Sequence, residues 1–80
     1  MKFTWDENKE QKNIEKHGFG FDYAKKILSA FDVFIAQANI KANGENRLLA
    51  FSTVENMKLC LCFVVRKDTI RIISIRRYHD

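Results

Sequence analysis

The sequence predicts an α+β fold: a short N-terminal strand and two helices packed on a four-stranded antiparallel sheet. Three observations lead there. Helical spacing of apolar residues is confined to the first 31 residues. Beyond them, β-branched and aromatic residues crowd into four runs, over 33–40, 47–54, 57–66 and 69–77. The turn pairs Asn43-Gly44, Glu55-Asn56 and Lys67-Asp68 separate those runs. Strands joined by turns this short pair with their neighbours in antiparallel order.

Phe3 and Trp5 alternate with polar residues, as on a half-buried strand. Asp6 is suited to cap a helix, with Glu7 in the first turn where the dipole favours an anion. The stretch 7–17 contains no breaker, carries Lys16 and His17 in its last turn and meets Gly18 as its C-terminal stop. Ile14 is its one aliphatic residue, so Glu10, Asn13, Ile14 and His17 make a narrow packing face. So polar a helix either crosses a partner's surface or rests lightly on its own domain. The second helix, 21–29, presents Phe21, Ala24, Ile27, Leu28 and Phe31 as one stripe, with Lys25 and Lys26 opposite. Gly20 can cap it. The third and fourth strands are apolar at both parities, which predicts a central position and cover on both faces.

At 80 residues the chain has the length of one small domain, 1–80, with a thin core. A hydrophobic share of 46% excludes a disordered chain, and 3 glycines with no proline exclude a collagen-like one. No apolar run approaches the roughly 18 residues of a membrane span, and the start lacks a secretory apolar core. Cys60 and Cys62 are no disulfide framework, so the cytoplasm is the expected compartment. Without a histidine or a second cysteine pair nearby they lack a zinc ligand set, and they read as small core residues. No phosphate-binding glycine loop and no acidic metal cluster occur, so an enzyme here would need no metal and no cofactor.

The net charge of +4 has one source. Residues 1–40 balance six lysines against six acids, whereas 66–77 hold Arg66, Lys67, Arg71, Arg76 and Arg77 against Asp68 alone. Guanidinium forks match phosphate oxygens in pairs, so this stripe suits a nucleic acid. It equally suits a solvated edge that keeps the sheet from aggregating, with arginines paired to Asp68, Glu55 or Glu45. Alternation puts Ser74 and Arg76 on one face and Arg71 and Arg77 on the other. His17 is either an acid–base group or a helix-terminal residue capping carbonyls. Glu45 and Arg47 are either a catalytic pair or an exposed ion pair.

Two separated motifs resemble the BrnT-type toxins. One is Trp5-Asp6-Glu7-x-Lys9, with Asn13, Lys16-His17-Gly18, Phe21 and Ala24. The other is Glu45-x-Arg47 with the ending Arg71-Ile72-Ile73-Ser74-Ile75-Arg76-Arg77. The pattern is departed from in three places. Ile40-Lys41-Ala42-Asn43 replace residues often acidic or histidine, Tyr78 replaces a small residue, and the chain stops at Asp80, where a charged helix usually continues. A sheet left uncovered there could be covered by an antitoxin or a second copy. The resemblance implies a bacterial type II toxin similar to the RelE group, which cuts RNA without metal by attack of a 2′-hydroxyl on its own phosphate. It implies Arg47, Arg66 and Arg76 as phosphate and transition-state contacts, and Glu45 and His17 as acid–base groups. Lys9, Lys16, Arg71 and Arg77 would hold RNA backbone or antitoxin. The implied partner is a BrnA-type antitoxin from the adjacent gene, through which the pair would reach operator DNA. A degenerate toxin that serves only as antitoxin partner and co-repressor is the alternative.

Overall fold

The computed structural model describes residues 2–42 and 45–79, and the side chains of all of these except 39–42. The elements run β1 (Lys2–Thr4), α1 (Glu7–His17), α2 (Tyr23–Ser29), β2 (Phe34–Ala42), β3 (Glu45–Val54), β4 (Met57–Arg66) and β5 (Thr69–Arg77). The class is α+β, as expected. The sheet, however, has five strands in the order β1-β5-β4-β3-β2 and is mixed. β1 joins it parallel to β5, with Phe3 opposite Ile70, and the other neighbours pair antiparallel. A three-residue strand carries no pairing signal of its own. It takes the half of the β5 edge that α1 leaves free.

The end of α1 and the hairpins follow local chemistry. The Asp6 carboxylate accepts from the Asn8 and Lys9 amides at 2.8 and 3.2 Å. Gly18 takes the left-handed conformation at φ 85° and donates to the Ile14 carbonyl at 2.8 Å. Glu55 and Asn56 both have positive φ, as a two-residue turn between twisted strands requires. The Asn43-Gly44 turn lies outside the described residues.

α2 begins two residues later than its apolar phase suggests, because Phe21 and Asp22 form a turn ahead of it. It ends where Ala30 becomes extended. Phe31 therefore drops out of the helical stripe and stands fully exposed, beside the exposed Phe34 and Ile35 on the edge strand β2. Phe21, Ala24 and Ile27 of this region are buried against Ala50, Leu59, Leu61, Ile72 and Ile75 of the sheet. Burying each such Leu, Ile or Phe contributes about 1.5–3 kcal/mol. The buried Ser52 hydroxyl donates to the Ile27 carbonyl at 3.0 Å, so this polar group joins α2 to β3 without cost.

α1 is attached by polar groups. Its contact is with β5, and Ile14 is exposed. The buried Asn13 amide donates to the carbonyls of Phe19 and Ile75, each at 2.9 Å, and accepts from the Ile75 N–H at 3.1 Å. Asn13 thus does for the free edge of β5 what a neighbouring strand would do. Glu10 accepts from the Phe21 N–H at 2.9 Å, fixing the turn that leads into α2.

Candidate active site on the open sheet face

α2 covers one face of the sheet, and α1 lies along β5, where its Lys9 reaches residues of the other, open face. The register places Phe51, Cys60 and Arg76 in one row across that open face, and Leu49, Cys62 and Ser74 in the next. The ladder then shifts: Cys62 faces Ser74 but Phe63 faces Ile72, so Ile73 is an extra residue in β5. This bulge reverses the expected parity. Arg71 faces Val64 and joins Ser74 and Arg76 on the open face, while Arg77, opposite Leu59, points away. Strict alternation from Arg76 would have put Arg71 behind the sheet. The two-sided cover expected of β4 and β5 also gives way to a simpler arrangement. Cys60 and Val64 are buried on the open face by neighbouring side chains of that face, and the Tyr78 ring packs edge-on to Phe51 at 5.0 Å.

Two depressions share Arg47. A small one, about 160 Å³, is lined by Lys9, Glu45, Arg47, Val64, Arg66, Arg71 and Ile73. A wider one, about 420 Å³, is lined by Arg47, Leu49, Cys60, Cys62, Ser74 and Arg76, with Gln37 and Ala38 at its β2 side. A third, along α1, holds Lys9, Lys12, Asn13, Lys16 and His17 beside Ile73 and Ser74. Lys9 links the third to the first, and Ser74 links it to the second. The structure therefore brings Lys9, Lys16, His17, Glu45, Arg47, Arg66, Arg71 and Arg76 onto one continuous surface, and Arg77 alone of the candidates lies elsewhere.

The ion pairs sort the candidates further. Arg66 donates through Nε and Nη2 to the two Glu45 carboxylate oxygens, each at 2.6 Å. Glu45 is thus paired with Arg66, not with Arg47. The Arg66 hydrogen bonds hold the Glu45 carboxyl below its usual range and raise Arg66 in turn. Glu55 is occupied by Lys26 and the Tyr23 hydroxyl, at 2.9 and 3.0 Å. Arg47 has a buried Nε whose hydrogen finds no acceptor among the described residues. An orphaned donor of this kind in a native fold calls for an explanation, and at a cleft the simplest is an acceptor supplied by a ligand. Burial pushes the Cys60 and Cys62 thiols up, against the opposing influence of Arg76 on Cys60 and of Arg47 and Arg76 on Cys62. Both thiols are free.

Lys12, Ser74 and Cys62 belong to this surface and were not among the candidates of the sequence. Lys12 had a signal, since Lys9, Lys12 and Lys16 stand at helical spacing. Cys62 had none that separates a half-buried cleft residue from a core one. Among the described residues, no group of three or more His, Cys, Asp or Glu comes together as a metal site. No helix of the described residues is long and apolar enough to cross a membrane.

A model of the BrnT ribonuclease toxins of type II toxin–antitoxin systems matches residues 5–80. The chain belongs to this family. The match takes in both helices and β2 to β5. No curated protein matches the chain. Membership of a type II system implies an antitoxin partner.

Proposed function

We propose that the chain is a metal-independent endoribonuclease acting through its open sheet face. RNA backbone lies in the cationic groove between α1 and the sheet. The 2′-hydroxyl of one nucleotide attacks the adjacent phosphorus, and the 5′-oxygen of the next nucleotide departs. The products are a 2′,3′-cyclic phosphate and a free 5′-hydroxyl. Arg47, Arg71 and Arg76 stabilise the charge that gathers on the phosphoryl oxygens, and Lys9, Lys12 and Lys16 hold the flanking backbone. Arg66 is aimed by Glu45, which stays anionic. His17, half-buried beside Ser74, is then the better placed proton carrier. Arg77 serves neither step and is free for other contacts.

The observation that carries this reading is the position of Arg47 at the junction of two arginine-lined depressions, with a buried Nε that has no partner among the described residues. The antitoxin is of the BrnA type, encoded next door, and carries the pair to operator DNA. Exposed Phe34 borders the open face, opposite Phe51, and offers the antitoxin an apolar foothold beside the RNA groove. The expected compartment is the cytoplasm.

The test is induced expression in a bacterial host, with and without the neighbouring gene, following growth and total RNA together. Growth arrest with RNA fragmentation is expected, relieved by the neighbour and absent from an Arg47→Ala/Arg76→Ala variant. Normal growth from soluble, well-expressed parent protein would replace the enzyme by an inactive antitoxin partner and co-repressor.

A further inference from the structure

The two depressions on the open face differ in chemistry. The small one is lined by Lys9, Arg47 and Arg71 beside the Glu45–Arg66 pair, and suits phosphate. The wide one has an apolar floor of Leu49, Cys60 and Cys62 between two guanidiniums, with the Ser74 hydroxyl on its rim. We propose that this trough is a nucleobase pocket, seating one base of the RNA whose phosphate lies in the neighbouring depression. The inference rests on the ribonuclease reading for its substrate, although base binding can be measured without cleavage.

The argument starts from side-chain length. Cys60 and Cys62 put two short side chains on the open face of the central strand β4, whereas β3 and β5 on either side carry Arg47 and Arg76. Cys60 lies between Phe51 and Arg76, Cys62 between Leu49 and the short Ser74, and Arg47 follows one row further along β3; the depression there, of about 420 Å³, falls in the range of small-molecule sites. Arg47 on β3 and Arg76 on β5 both line this depression with the half-buried Cys62 on the strand between them. Phosphate alone gains nothing from an apolar floor. A base has an apolar face that needs one, a polar edge that can meet Ser74, and a π-system on which a guanidinium plane stacks. The β2 side is opened by a break in the ladder. Pairing stops at Gln37 with Leu48 and resumes at Lys41 with Asn46, so three β2 residues stand opposite Arg47. Irregularities of this sort re-aim side chains beside sites. Arg47 lines both depressions, which puts it between base and phosphate.

The test is a titration of the isotopically labelled protein with the four nucleoside 3′-monophosphates and with inorganic phosphate, followed by amide resonances. At least one nucleotide is expected to bind about tenfold more tightly than phosphate, with shifts at Leu49, Cys62 and Ser74. Cys62→Met, which fills the trough, should reduce nucleotide affinity to that of phosphate. Thermal unfolding of this variant checks the fold. Equal affinity for all five ligands, with shifts confined to the Arg66–Arg71 region, would overturn the pocket, as would parental binding by Cys62→Met. Base binding by a protein that leaves cellular RNA whole would keep the pocket and remove the ribonuclease. RNA cleavage by a protein that binds nucleotides only as it binds phosphate would do the reverse.

Discussion

The same three strands build both faces of the sheet, and the two faces obey different rules. Under α2, Ala50, Leu59, Leu61, Ile72 and Ile75 are fully buried against Phe21 and Ile27. On the open face the same strands alternate thiols and aliphatic groups with Arg47, Arg71 and Arg76, and the guanidiniums border depressions instead of a core. Apolar residues at both parities of a strand therefore do not require two covering layers. Small side chains such as Cys60 are buried by their neighbours alone, which leaves room for chemistry above them. Stability thus resides on one face and charge on the other. Substitutions on the two faces should accordingly act on different observables.

The largest effect should come from the covered face. Leu61→Ala removes a fully buried side chain at the centre of the core. The expected loss is about 2–5 kcal/mol, a large part of the ~5–15 kcal/mol available to a domain. Urea unfolding measures it. RNA cleavage per folded molecule should remain at parental level, and a specific loss of cleavage would mean that the faces are coupled.

Asn13→Ala should follow closely. It leaves the Ile75 N–H and C=O and the Phe19 carbonyl without their side-chain partner at a buried edge. The expected cost is about 1–3 kcal/mol. Here both observables should move, because Asn13 fastens to β5 the helix that carries Lys9, Lys16 and His17. Exchange protection of the Ile75 amide should fall well below that of Leu61.

Most of the fold was legible where local chemistry is strong. The limits of β4 and β5 follow from two-residue turns, and those of α1 follow from Asp6 and Gly18. The parallel pairing of β1 was not legible, because it depends on an edge 67 residues further along the chain. Arg71 was placed on the wrong face for a definable reason. Buried Ile70, Ile72 and Ile75 are spaced by two and then by three, and that adjacent Ile72-Ile73 is the mark of a bulge. Read as plain alternation, the run hides it. Arg47 and Arg76 could be named from the family motifs. Only the fold could reveal that Glu45 is bound to Arg66, or that Cys62 floors a trough.

Acid should weaken the periphery before it touches the core. The Thr53 N–H holds the Asp32 carboxyl below its usual range, Lys26 does so for Glu55, and Arg66 for Glu45. Each lowered carboxyl binds protons more readily in the unfolded chain. Its contribution is present above the unfolded value near pH 4 and is lost as pH falls through the folded one. Denaturant midpoints between pH 7 and pH 2 should be flat and then fall below about pH 4. Asp32→Asn should lower the plateau slightly and make the acid fall shallower. An unchanged acid slope would assign the loss to other carboxylates.

The smallest expected change in stability, and the sharpest test of the open face, is Glu45→Gln. Glu45 and Arg66 form an exposed two-point ion pair, and such pairs contribute little to folding. The unfolding midpoint should stay where it is. Two functional readings of Glu45 then diverge. As a general base it would already be handicapped, because its partner holds the carboxyl below its usual range and so weakens its hold on a proton near neutrality. As a positioning residue it merely occupies and aims Arg66. Removing its charge should then release a guanidinium to RNA. Affinity for a non-cleavable oligonucleotide should rise, the dependence of log K on log salt should steepen by about one contact, and cleavage should persist within a few-fold. Abolished cleavage with unchanged binding would instead make Glu45 a proton carrier, and the open face would need its acid–base assignment redrawn around the Glu45–Arg66 pair.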